Sequence, residues 1–187
     1  MAFPTPASVS LRQIDPVDLT ARLSGLEALV SEESRGTSAR QCVVRVTAAH
    51  GLQTLGRLRQ DELVSMRRLV DLTAVDRLGS ATARDGRFVL VYQLHSPSTQ
   101  QRLRVEVTLD PVTVSSTNDE GPSADSVSKL WPAAIALERE VFDLFGIHFR
   151  GHPDLRRILL DADFVGAPLR KDHPLRVARA LPDEGVP

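Results

Sequence analysis

Apolar residues recur along this chain in two different periods, and the changes of period divide it into elements. After the acid-proline pair Asp15-Pro16, Leu19, Leu23, Leu26 and Val30 return at helical spacing, with Gly25 a weak point in that helix. Glu32 to Arg40 is polar and reads as a connector, and the β-branched run Cys42 to Val46 reads as a strand. Leu63, Met66, Leu69, Val70 and Thr73 then form one face of a second helix, with Asp61 at its start. Asp85-Gly86 is turn chemistry, Phe88 to Leu94 is an almost continuous apolar run containing Tyr92 and Gln93, and a Ser-Pro-Ser breaker follows His95. Leu103, Val105, Val107 and Leu109 alternate with Arg104, Glu106 and Thr108, as a strand with one wet face requires. The last two runs predict an antiparallel hairpin, and Ser115 to Ser128, rich in small polar residues, predicts a surface loop. The pattern is that of an α+β fold, with helices packed on a small, mostly antiparallel sheet.

The final third is different. Trp131-Pro132 opens a helix that Gly146 closes. On a helical wheel Arg139, Glu140 and Asp143 fall outside the apolar sector, whereas Glu138 falls inside it, among Ala134, Ile135, Phe142 and Phe145. An unpartnered carboxylate there would cost several kcal/mol or stay neutral. The sequence therefore predicts a cationic or amide partner, specifically an arginine, Arg156 or Arg157 being nearest in sequence and Arg170 further on. Beyond Gly146 the breakers Gly151, Pro153, Gly166, Pro168 and Pro174 rule out a long helix or central strand, leaving an extended segment with room for a short helix between Pro153 and Leu160. Yet Ile147, Phe149, Leu155, Ile158, Leu159, Leu160, Phe164, Val165, Leu169 and Leu175 lie in it. An irregular segment does not bury so many apolar groups against itself, so they are expected to rest on the domain or on another protein. The expected organisation is a tail over 1–15, the α+β domain over 16–130, the helix and an extended partner-docking segment over 131–175, and a tail over 176–187.

Composition narrows the function. With 187 residues, 42% apolar and 25% charged, the chain fits one ordinary core. A net charge of −1 gives no basic excess for nucleic acid, and no apolar run approaches the ~20 residues needed to cross a bilayer. The first residues lack the basic start and apolar middle of a secretory signal, which predicts a chain that is not exported. A single cysteine, Cys42, excludes an internal disulfide and an iron-sulfur cluster held by this chain alone.

Candidate chemistry concentrates in the same final third. His148 and His152 are four apart, and Glu138, Asp154 or His173 would complete a metal site, but that spacing needs a helix, which Gly151 and Pro153 prevent. Arg156-Arg157 and Arg170-Lys171 stand beside Asp154, Asp161, Asp163 and Asp172 with no glycine-rich phosphate loop. Mixed charges of this kind favour salt bridges across an interface over an anion site. No serine occupies a nucleophile elbow, and Cys42 reads as a core residue.

The stretch Glu138-Arg139-Glu140, Asp143-Leu144-Phe145-Gly146-Ile147, Phe149 and Gly151-His152-Pro153-Asp154-Leu155-Arg156-Arg157-Ile158-Leu159, followed by DFVGAPLRKDHPL, resembles the C subunit of proton-translocating NADH:quinone oxidoreductase, respiratory complex I. The resemblance implies a non-catalytic, cofactor-free subunit of the peripheral arm, on the cytoplasmic side of the inner membrane. It implies docking on the D subunit with the B and I subunits nearby, while other subunits bind NADH, iron-sulfur clusters and quinone. Glu138, Arg139, Glu140, Asp143, His152, Asp154, Arg156, Arg157, Arg170 and Lys171 are the residues it marks for docking or for ordering the segment. Corresponding subunits of energy-converting hydrogenases, or of chloroplast and cyanobacterial-type complexes, share the resemblance. The competing reading is a free-standing metalloprotein using Glu138, His148 and His152.

Overall fold

The structure is a computed structural model, and it describes residues 14–35, 39–109 and 121–174. Five strands, β1 (Leu29–Arg35), β2 (Ala39–Thr47), β3 (Arg68–Asp76), β4 (Phe88–Ser96) and β5 (Gln101–Thr108), form one sheet in the order β1-β2-β5-β4-β3. The β2–β5 pair is parallel and the other neighbours are antiparallel, so the sheet is mixed and mostly antiparallel, as the alternating pattern required. The hairpin expected from residues 88 to 109 is the β4–β5 pair, with Tyr92 opposite Val105 and Leu94 opposite Leu103. A second, two-stranded parallel sheet joins β6 (Ser123–Asp125) to β7 (His148–Arg150).

Three helices, α1 (Pro16–Arg22), α2 (Ala48–Gln60) and α3 (Ala134–Phe145), cover one face of the large sheet. Their buried residues, among them Leu19, Leu55, Leu58, Ala134 and Val141, join Val44, Leu72, Leu90, Tyr92, Leu103 and Val105 in a single core. The lesser sheet enters the same core through Ala124 and Phe149.

Five local expectations fail. Residues 61 to 73 are not a helix: Asp61 ends α2, its carboxylate accepts the N–H groups of Leu63 and Val64, and β3 begins at Arg68. A register shift between Leu69 and Asp71 breaks the two-residue period there, and the broken alternation imitates a helical one. The true helix, α2, hid because its inward positions Gly51, Thr54, Leu55 and Leu58 include a glycine and a threonine in place of large apolar groups. The polar connector is largely β1 and the start of β2, paired antiparallel, and α1 ends before Gly25, which takes the left-handed conformation at φ 81°, so Val30 is a strand residue. The short helix between Pro153 and Leu160 is replaced by irregular backbone, and part of the expected surface loop is strand β6. Most of the two tails, with Leu175, falls outside the described residues.

Gly51 lets α2 approach β5 closely: a Cβ there would lie 2.9 Å from Val107 Cγ1, inside normal contact distance. Gly51→Ala is expected to lower stability by about 1–3 kcal/mol through this overlap, despite the better helix propensity of alanine. Urea unfolding checks it, with Val107→Ala in the same chain expected to relieve the overlap.

Candidate functional site

The charged face of α3 holds the extended segment that follows it. Trp131-Pro132-Ala133 leads into the helix, and Gly146 ends it in the left-handed conformation at φ 65°. That turn sends the chain back along the helix. On its way Ile147 and Phe149 enter the core and His148 turns its ring edge to Phe142.

Asp143 is the anchor. Its side chain is wholly buried, Oδ2 accepts the backbone N–H groups of Ile158, Leu159 and Leu160 at 3.1, 2.8 and 2.9 Å, and Oδ1 accepts from Arg157 Nη1 at 2.7 Å. Arg139, one turn earlier, donates to the carbonyls of Arg156 and Arg157 at 3.0 and 2.9 Å. The two side chains thus satisfy the backbone of residues 156 to 160, which has no strand partner. Burial pushes the Asp143 carboxyl up, but the three N–H donors and Arg157 outweigh it and hold it below the usual carboxylate range.

Further along, Arg170 donates to the carbonyls of Phe145 and Gly146 at 2.5 and 3.1 Å, placing a cation at the C-terminal end of α3. A Cβ on Gly146 would come within 2.7 Å of this guanidinium, a second reason for glycine at that position. Leu169 N–H bonds Leu144 O at 3.0 Å. Lys171 N–H bonds Asp76 Oδ2 at 2.9 Å, and Lys171 Nζ reaches Leu78 O at 3.1 Å. Arg87 grips Asp76 at 2.9 and 2.7 Å and Asp172 at 2.8 and 2.7 Å, a clamp that holds the Asp76 carboxyl well below its ordinary range. Asp76 and Arg87, eleven residues apart and paired with each other, carry no local mark of this role because the segment they hold lies 85 and 95 residues further on.

Glu138 is buried as the wheel demanded, but its partner is not an arginine. Its carboxylate accepts from Ser126 Oγ at 2.6 Å and from Val127 N–H at 2.7 Å, tying the 126–128 loop to α3. His152 Nε2 lies 3.9 Å away. The His152 ring accepts the Asp154 N–H at Nδ1, so its proton sits on Nε2 and is donated to Ile135 O at 3.0 Å. The three arginines expected at Glu138 are otherwise engaged: Arg157 at Asp143, Arg170 at the end of α3, and Arg156 at Asp154 on the surface. Burial raises the Glu138 carboxyl above its usual range, against the opposing hydrogen bonds of Ser126 and Val127. Glu140 is exposed. Among the described residues no three His, Cys, Asp or Glu side chains converge on a point where an ion could sit.

What this scaffold leaves outside is apolar. Ile158, Leu159, Val165 and Leu169 are 42%, 61%, 86% and 51% exposed on a segment whose backbone is fastened to its own domain.

Over residues 44–179 the chain matches the family described as respiratory-chain NADH dehydrogenase, 30 Kd subunit. The C subunit of the NADH-quinone oxidoreductase of Geobacter metallireducens is 47% identical over 115 residues, 62% of this chain and 64% of that protein. Its counterpart in Citrifermentans bemidjiense is 41% identical over 145 residues, 78% of this chain and 81% of its own length. The chain thus spans just under two thirds of the first of these relatives, at 64%. Among solved structures, the trypsin-resistant fragment (1-134) of Nqo5 is similar at a TM-score of 0.56 and 31% identity, over 74% of this chain and 96% of the fragment. A chain of the membrane-bound sulfane sulfur reductase, an archaeal respiratory membrane complex, shares the fold at a TM-score of 0.63 and 22% identity, over 85% of this chain and 83% of that one.

Asp143→Asn keeps the size of the side chain but removes the charge that gathers three N–H groups and Arg157. It is expected to cost about 2 kcal/mol in urea unfolding at neutral pH. Because the folded carboxyl lies below its unfolded value, this difference should shrink as pH falls below the ordinary carboxylate range. Glu138 has the opposite sign. Its folded value lies above the unfolded one, so the native state holds the extra proton, and its contribution weakens as pH rises from the ordinary carboxylate range through the raised value. Glu138→Gln, whose amide can still accept from Val127 and donate to Ser126, is expected to gain on the parent chain over that window. Urea midpoints measured from the ordinary carboxylate range upward through neutrality check it.

Proposed function

The chain belongs to the family of the respiratory-chain NADH dehydrogenase 30 Kd subunit, and from that premise we propose that it is a non-catalytic subunit of the peripheral arm of an NADH-quinone oxidoreductase, respiratory complex I. Its task in this reading is to present residues 151–174 as a preformed docking surface to the D subunit, with the B and I subunits nearby. Other subunits bind NADH, the iron-sulfur clusters and quinone, and the assembly couples electron transfer to proton translocation. The chain sits peripherally on the cytoplasmic side of the inner membrane.

The observation that carries the proposal is the combination of a fastened backbone with unburied apolar side chains. Burying a Leu, Ile or Val side chain contributes roughly 1.5–3 kcal/mol when complete, so four half-exposed ones suffice for the centre of an interface. The ordering cost is met within the chain by Asp143, Arg139, Arg170 and the Asp76–Arg87–Asp172 clamp, which favours affinity because little freedom remains to be lost on docking. Arg156, whose side chain is 72% exposed beside Asp154, is the cation best placed to reach a neighbour, whereas Arg157 is committed to Asp143.

In this reading the chain itself holds no iron-sulfur cluster. Cluster ligation needs several thiolates, and the one cysteine lies buried in β2, its thiol pushed up to about 11 by burial first and by Glu32 second. None of the helices among the described residues is long and apolar enough to cross a membrane.

Leu159→Asp combined with Val165→Asp should leave the chain's own stability within about 0.5 kcal/mol, since both side chains face solvent. The same variant should fail to enter the complex, read as loss of the full-size band and of NADH-quinone activity in native gels of membranes. A normal band carrying this variant would overturn the docking role of the segment.

A further inference from the structure

Docking through residues 151–174 uses the helix-bearing side of the molecule and leaves the other face of the large sheet unexplained. All three helices send their buried side chains into the core on one face, while Val43, Val89 and Val91 are buried on the opposite face without belonging to that core. Register places Arg45 beside Glu106, Glu106 beside Val91, and Arg104 between Val43 and Gln93, all on this second face. Arg68 and Arg102 flank His95 on the same face, and both are exposed.

The charge distribution here is uneven. Glu106, with a side chain only 8% exposed, is met by Arg104 at 2.9 Å, Arg45 at 3.0 Å and Arg77 at 3.8 Å, and Arg45 also pairs with Glu33. Adding Arg68, Arg102 and Asp71, the side chains described on this face include five arginines against three carboxylates, in a chain whose net charge is −1. Val75 and Leu29, 41% and 71% exposed, add apolar margin at either side.

We propose that this face is a second docking surface and that its occupant is an acidic polypeptide segment of a neighbouring protein. Carboxylates are the natural complement of guanidiniums, whose planar fork donates paired hydrogen bonds to them. A nucleic acid fits less well: it requires a run of unpaired cations, whereas three of these five arginines already share Glu106. The proposal is independent of which complex the chain enters and of the 151–174 segment. It makes the protein a bridge between two neighbours.

The test uses the full chain in its native assembly, with Arg68→Lys and Arg102→Lys introduced on this face and, as controls, Arg67→Lys and Arg150→Lys elsewhere. Zero-length carbodiimide cross-linking and mass spectrometry read which carboxylates the new amines reach. The expected result is attachment at positions 68 and 102, and not at the controls, to a run in another polypeptide with at least three acidic residues in about ten. A synthetic peptide of that run should bind the parent chain at least ten times more tightly than the Arg68→Gln, Arg102→Gln chain, a factor worth about 1.4 kcal/mol. Attachment only to Glu33, Asp71 or Glu106 of the same chain, no attachment, co-isolated nucleic acid, or a peptide indifferent to the two glutamines would each overturn it.

Discussion

One carboxylate takes the place of a missing strand. Residues 156 to 160 run irregularly beside α3 with no ladder to join, and backbone polar groups left without partners are costly. Asp143 takes three successive N–H groups, Arg139 takes two carbonyls, and Arg157 closes the arrangement by neutralising Asp143. Because the backbone is satisfied from the helix side, its side chains are free to point outward. The same bonds therefore explain both why the segment is ordered and why it remains apolar on its surface.

Around that anchor, other polar contacts fix the path of the chain. Arg170 reads the carbonyl end of α3, Gly146 leaves it room, and the Asp76–Arg87–Asp172 clamp fastens the segment to the margin of the sheet. Glu138 works inward, joining α3 to the 126–128 loop by two short bonds and keeping the helix seated where its outward face can act. A surface carried on a rigid domain loses little freedom when it meets a neighbour, which suits the docking role proposed for this segment.

Much of this was legible in the sequence. The hairpin showed in the strict alternation after Leu103, α3 in its proline entry and glycine exit, and the burial of Glu138 in its place on the wheel. Periodicity failed where the register slips between Leu69 and Asp71, and where α2 packs through Gly51 and Thr54, because period reports large apolar groups and these positions lack them. Partner identity failed at Glu138 for another reason. A wheel states that a buried charge needs a partner but cannot say that a serine and a backbone N–H, twelve and eleven residues upstream, will supply it in place of an arginine downstream. The clamp at Arg87 was invisible because nothing local marks a residue whose partner is 85 positions away.

The proposed docking surface rests on a segment that is formed before any neighbour arrives. Amide hydrogen exchange on the free, unsubstituted chain tests it most directly at Ile158, Leu159, Leu160, Leu169 and Lys171, whose N–H groups bond Asp143, Leu144 and Asp76. Slow exchange at these five amides, comparable with that of α3, is the predicted result. Exchange at the rate of an unstructured peptide would contradict the account and mean that the partner, not Asp143, folds the segment.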